Sequence, residues 1–340
     1  MSLMTGLVLA AAAVLPQEGG PRDVVGVVCR STETLVILDA AEGLLLAEVR
    51  LGLEPTDVAA SPDRRTFWVT NTLGQTVQVV DIFKKRTVAV IPLYRMTDPA
   101  GSPRLYGPRA ITLSRNGSLA YVSCPSKDTL VTIDAPGRRV VQRLQLSESD
   151  ESVHPGALAL AGAGRVAVAA RVSRQIILVK ADGSAVVNRV GLEGRPEDLF
   201  WERQGTGFPV DEEESRALWV LESDRNRVVR VDLPSREVVR KAPLAGVGPI
   251  SLMGSAGVLY TTHGAQGGIG MAYPWTDREA VHLELGQQTA AMAVYAGGAR
   301  MALLDSEENE VLLLVREARL RLARGLPVPG NPVALAVMER

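Results

Sequence analysis

The chain carries few side chains of the kinds that do covalent chemistry. Its histidines are His154, His263 and His282, and its cysteines are Cys29 and Cys124. A hydrolytic triad needs a nucleophile, an imidazole and a carboxylate together, and a zinc site needs three or four ligands around one ion. Neither cysteine lies in a CxxC or CxxCH run, so zinc, redox and covalent haem chemistry have no local signature. Charged groups are better supplied, in three segments rich in Gly and Pro. Residues 94–107 (YRMTDPAGSPRLYG) hold Arg95, Arg104 and Tyr106, with Arg109 just beyond; residues 147–155 (SESDESVHP) hold His154; residues 194–198 (GRPED) hold Arg195, Glu197 and Asp198. Such groups bind rather than cleave, and they form one site only if the fold brings these segments to one face. The same composition is also what any exposed loop contains.

At 340 residues, 46% hydrophobic and 22% charged, the chain can bury a sizeable core and lacks the bias of disordered, collagenous or disulfide-rich proteins. A net charge of −1 and an aromatic content of 4% argue against nucleic acid as a partner. Residues 1–20 (MSLMTGLVLAAAAVLPQEGG) read as a leader, apolar and then polar, with small residues around Ala11 to Ala13, although no Lys or Arg precedes the apolar stretch. The expectation is a leader over residues 1–22 and export to the periplasm or the extracellular space. No later segment has the uninterrupted apolar length that a membrane span requires.

The elements that must position the charged segments come from an internal repeat. A gapless pattern of apolar run, polar turn and second apolar run recurs at 26–39, 68–81, 121–134, 167–180, 219–232, 260–273 and 302–315. The runs are short and rich in Val, Ile, Leu and Thr, which predicts β-hairpins. Outer strands follow at 44–51, 87–93, 140–146, 185–192 and 237–244, then a Gly or Pro break, then small-residue strands such as 58–61, 110–113 and 157–160 that would line an axis. Four strands per unit at a period of roughly 40 to 53 residues predict an all-β fold, a seven-bladed β-propeller of four-stranded antiparallel blades over residues 23–340. The first hairpin lacks an inner strand and residues 333–338 (VALAVM) lack a partner, so the C-terminal strand should complete the first blade.

Residues 67–71 (FWVTN) with 76–81 (TVQVVD), and 120–124 (AYVSC) with 129–134 (TLVTID), resemble the YVTN repeat. The resemblance covers nearly the whole chain after residue 22, departing at Lys180, Tyr273 and Val315, where other copies end in Asp. That Asp reads as a turn residue bonding the backbone two residues on. The resemblance implies a propeller with one of several uses. Seven-bladed lactonases related to phosphogluconolactonase use His, Glu and Arg at the top pore, parts in which His154, Glu197 and Arg104 could be cast. YVTN-like propellers also resemble the noncatalytic large subunits of bacterial amine dehydrogenases. A quinone cofactor is not expected: the recurrent Trp docking motif is missing, with only Trp68, Trp201, Trp219 and Trp275 present.

Chain direction puts the outer-to-inner connections and the hairpin turns on one face, called the top. The expected binding rim there is Arg95, Arg104, Tyr106, Arg109, His154, Arg195, Glu197 and Asp198, with no catalytic, metal or cofactor assignment. The hairpins also align Cys29, Asn71, Cys124, Ala170, Glu222, His263 and Asp305 at one position. Equivalent points on non-adjacent blades lie well over about 7 Å apart, too far for a disulfide or a shared tetrahedral ion. His263 reads as a turn residue and His282 as part of a strand face. Residues 202–216, with the acidic run 211–214, form a bottom insertion that is either solvated or a docking surface for a basic partner. The functional expectation is an exported, non-enzymatic propeller that binds a protein or small ligand on its top face. Its alternatives are a lactonase-like hydrolase and a noncatalytic subunit of a periplasmic dehydrogenase complex.

Overall fold

In a computed structural model of the chain, described over residues 23–94, 105–148, 151–162, 164–202, 217–264, 266–285, 288–316 and 320–339, the β-branched runs pair into seven four-stranded antiparallel sheets. From the axis outward, blade 1 runs Pro332–Met338, Val24–Cys29, Thr34–Asp39 and Leu44–Arg50. Blade 2 runs Pro55–Ala60, Thr66–Asn71, Thr76–Asp81 and Arg86–Pro92, and blade 3 runs Ile111–Leu113, Leu119–Cys124, Thr129–Asp134 and Arg139–Gln145. Blade 4 is Pro155–Ala161, Arg165–Ala170, Gln175–Lys180 and Val186–Gly191, and blade 5 is Pro196–Trp201, Ala217–Glu222, Arg227–Asp232 and Glu237–Pro243. Blade 6 is Pro249–Ser255, Val258–His263, Ile269–Ala272 and Val281–Leu283, and blade 7 is Thr289–Tyr295, Arg300–Asp305, Glu310–Arg316 and Leu320–Pro327.

The ring closes as the sequence requires. Val24 pairs with Met338, Gly26 with Ala336 and Val28 with Ala334, so the last strand supplies the inner edge of blade 1. The leader and the bottom insertion beyond Glu202 lie outside the described residues.

Burial follows strand position. The second strands are buried along their whole length in blades 1, 5 and 6, because both faces pack on neighbouring blades. The outer strand of blade 1 shows only Val49 fully buried. The core is a ring of interblade layers. One joins Val25, Val27 and Val36 of blade 1 to Tyr295, Leu304 and Val311 of blade 7. Another joins Val28, Leu35 and Ile37 to Val58, Phe67 and Val69 of blade 2. A Cβ on Gly26 would sit 2.8 Å from Phe67 Cζ, so this strand passes under the ring only because it has no side chain there. The Asp residues that end the third strands do act in turns. Asp39 Oδ1 accepts from the amides of Ala41 and Glu42, Asp81 Oδ1 from those of Phe83 and Lys84, and Asp232 Oδ2 from that of Ser235.

The aligned position at the top of the second strands is a layer of buried anchors. Cys29, Asn71, Cys124, Ala170, Glu222 and His263 are inaccessible, and Asp305 nearly so. Where the residue is polar it bonds nearby backbone or side chains: Glu222 takes the Gly194 amide at 2.8 Å, and Asp305 takes those of Glu307 and Glu308. Cys29 and Cys124 are free thiols. Burial pushes the Cys29 thiol up to about 12 and that of Cys124 well above its ordinary range. Alkylation runs through the thiolate, so neither cysteine of the native protein should react with iodoacetamide at neutral pH. Both should label once denaturant opens the blades, as intact-mass spectrometry would show; labelling of the native chain would place a thiol elsewhere.

Candidate functional site at the top of the channel

Each inner strand except that of blade 3 pairs through a bulge at its top end. In blade 2, Pro55 faces Asn71 and Asp57 faces Thr70; in blade 5, Pro196 faces Glu222 and Asp198 faces Leu221. Proline suits this position because it withholds an N–H where regular pairing has not begun, and the bulge re-aims the next side chains. Asp57 and Asp198 therefore turn into the wall in the same way. Asp57 accepts from its own neighbour Val58 N at 2.8 Å and from Ile111 N of blade 3 at 2.9 Å. Asp198 accepts from Leu199 N at 2.8 Å and from Leu252 N of blade 6 at 2.7 Å. Each carboxyl ties its blade to the next. Burial raises Asp57 to about 6; burial, with a smaller contribution from the Asp57 charge, raises Asp198 to about 7.

Above them, three adjacent blades converge. Arg171 follows the blade 4 anchor Ala170, and its stem lies across Gly156, where a Cβ would come within 3.0 Å of Arg171 Cδ. The guanidinium crosses to blade 5. Its NH2 donates to Glu197 Oε2 at 2.8 Å, with the two side chains 19% and 13% exposed, while its Nε is buried with no hydrogen-bond partner. Glu197 Oε2 also accepts from Ser223 Oγ at 3.3 Å and lies 3.7 Å from Arg195 Nε. Arg109, which leads into the inner strand of blade 3, lies within electrostatic reach of this group. It is exposed, and no described residue gives its guanidinium a hydrogen bond or ion pair. Burial of its surroundings and the charge of Arg171 press its pKa down, with Arg30 adding to the effect and Glu197 and Asp57 opposing it. His154 adopts φ 49°, a conformation held by its amide donating to Asp128 Oδ1 at 2.7 Å. Burial, then Arg171 and Arg109, keep its imidazole below the ordinary range and hence neutral at pH 7.

Of the residues expected at the rim, Arg109, His154, Arg195 and Glu197 come together here, and Asp198 lies below them in the wall. Tyr106 does not reach the mouth. It is buried between blades 2 and 3, its amide donates to Gln75 Oε1 at 2.6 Å, and the Arg143 guanidinium lies 5.6 Å above its ring. Arg95 and Arg104 lie outside the described residues. Sequence reasoning overlooked Arg171, Arg30, Asp57 and Ser223. The repeat alignment carried a signal for Arg30 and Arg171, which stand one residue past the anchors Cys29 and Ala170.

The other histidines serve blade 6. His263 Nε2 is 3.0 Å from Thr261 Oγ1 and its Nδ1 3.2 Å from Val247 O, with the His282 ring packed edge-on at 4.9 Å. The lower channel differs in kind from the mouth. It contains a cavity of about 770 Å³ lined by apolar side chains such as Leu113, Leu158, Leu160 and Met253, and among the described residues the ionisable ones lining it are Arg64, Arg115 and Glu339. Its wall also presents the free edges of the inner strands. Size alone would favour this cavity as a site; convergent charge favours the top. Among the described residues no helix is long and apolar enough to cross a membrane.

No protein-family model matches the chain, and no curated protein matches it. Solved structures do. A candidate 6-phosphogluconolactonase of Bacteroides fragilis is similar with a TM-score of 0.73 at 12% identity, over 95% of this chain and 100% of that one. Dihydro-heme d1 dehydrogenase matches with a TM-score of 0.65 at 18% identity, over 94% of this chain and 67% of that one. Virginiamycin B lyase from Staphylococcus aureus matches with a TM-score of 0.65 at 15% identity, over 83% and 87% of the two chains. At these identities the likeness is one of fold, a propeller common to proteins of unlike activities.

Proposed function

We propose that this chain is an exported, non-enzymatic propeller of the YVTN kind whose top mouth binds a protein or small ligand. The observation that carries the reading is the Arg109 guanidinium, which stands without a described partner beside Arg171, Glu197 and His154 on neighbouring blades. Three blades aim charged groups at one opening, as a recognition site requires. The carboxylate nearest that opening is committed elsewhere: Glu197 is ion-paired to Arg171 and hydrogen-bonded to Ser223, which suits a positioning role better than proton abstraction. A thermal-shift screen of small metabolites and peptides against the wild type should return stabilising ligands whose effect is lost in Arg109→Ala and Arg171→Ala. Ligands that stabilise wild type and variants alike would move the site away from the mouth.

One observation favours the hydrolase reading instead. His154 is held neutral next to two guanidinium groups, the state a general base needs. Lactone hydrolysis that disappears in His154→Ala would support it over the binding reading.

A further inference from the structure

The guanidinium groups of Arg30, Arg109, Arg171 and Arg195 stand around the top mouth, with Glu197 paired to Arg171 and Asp224 accepting from the Arg195 amide. Asp57 and Asp198 add negative charge below the mouth, Asp57 acting on Arg109, but they offer no oxygen to it. Their oxygens are turned into the wall onto the amides of Val58, Ile111, Leu199 and Leu252. Like charges gathered in a partly desolvated mouth repel one another, a cost that a bound counter-charge removes. Two donor sets are also left over: the fork of Arg109, which no described residue engages, and the Nε of Arg171, which is buried without a partner. A buried guanidinium nitrogen without an acceptor is costly, and an oxygen bound at the mouth would supply one. The Arg171 stem passes close over Gly156 on the inner strand of blade 4.

Resting on the reading of the mouth as a binding site, we propose that it recognises its ligand through a doubly charged oxyanion held by Arg109 and Arg171. Donors are left over on both arginines, and a tetrahedral dianion has oxygens for both at once. Planar guanidinium forks match the paired oxygens of such a group and engage it by charge-assisted hydrogen bonds. Sulfate is a clean probe because it keeps both charges across the working pH range.

The test is calorimetric titration of the full chain with sodium sulfate, with ionic strength held constant by sodium chloride. Saturable binding is expected, stronger than that of acetate by about tenfold, and weakened by about tenfold or more in Arg109→Ala and in Arg171→Ala. Arg109→Lys should keep part of the affinity, and Arg50→Ala, at the exposed edge of the disc, should keep all of it. Melting curves without sulfate would show that each variant is folded. No saturable sulfate binding, equal binding of acetate, or unchanged binding in folded Arg109→Ala would overturn the inference. If sulfate fails while ligands from the screen still depend on Arg109 and Arg171, the oxyanion falls and the mouth stands as the site. If those ligands bind without regard to either arginine, the mouth itself falls.

Discussion

Removal of residues 332 to 340 is expected to abolish the cooperative thermal transition of the whole chain. Pro332–Met338 pairs along Val24–Cys29, and no other strand can satisfy that edge. Its side chains serve two interblade layers. Ala334 and Met338 are buried, with Val333 packed beside them, against blade 2, while Leu335 and Val337 pack against blade 7. Burial of a large apolar side chain contributes about 1.5–3 kcal/mol. Losing several at once, with a backbone ladder, is comparable to the whole stability of about 5–15 kcal/mol expected of a domain. Circular dichroism should show a broad, early loss of signal in the truncated chain. A transition within about 2 °C of the intact protein would mean that the ring stands without its closing strand.

Glu202→Ala should be the most damaging single substitution away from the closure. Glu202 directly follows the inner strand of blade 5 and is inaccessible, as is Trp219, whose Nε1 donates to Glu202 Oε1 at 2.6 Å. Arg230 donates to Glu202 Oε2 through Nε at 3.2 Å and NH2 at 2.9 Å. Beyond the pair, Trp275 lies under both Arg230, at 5.2 Å, and Arg240, at 4.4 Å. Truncating the carboxylate strands a guanidinium that is 8% exposed, and breaking one side of a buried pair costs about 3–5 kcal/mol. The unfolding free energy from urea titration should fall by that amount, seen as a lower midpoint at unchanged slope. Replacing both members, as Glu202→Leu with Arg230→Met, should recover much of the loss, since the cost lies in the orphaned charge. Equal damage in single and double variants would indicate that packing, and not charge, holds this corner.

The propeller is legible in the sequence because second strands buried on both faces must read as short apolar runs, and such runs recur with the same internal turn. Val24–Cys29 and Ala217–Glu222 are of this kind. The inner strands are harder to place. In blade 2 the strand starts at Pro55, ahead of the expected 58, because a proline followed by a bulge looks like a turn until its pairing is seen. The bulge also explains Asp198, which reads as a rim residue from its loop-like neighbours but points into the wall. Tyr106 shares a Gly- and Pro-rich segment with exposed residues, yet its ring fills the layer between blades 2 and 3. Composition cannot separate those two cases. Arg171 sits in an ordinary hairpin turn by sequence, and the sequence does not show that its stem passes over Gly156, fifteen positions earlier.

The pairing of Val24 with Met338 has a consequence for the order of events in synthesis. The ribosome releases Val24–Cys29 early, with the rest of its hairpin, and that sheet then waits for its innermost member until almost the entire chain has been made. Loop closure over such a distance is slow, and incomplete intermediates of this sort expose strand edges. Blades 2 to 6 can assemble meanwhile against one another, while the first hairpin stays available to the wrong neighbour. A nascent chain stalled short of Pro332 should therefore bind holdase chaperones, and the finished polypeptide should let them go.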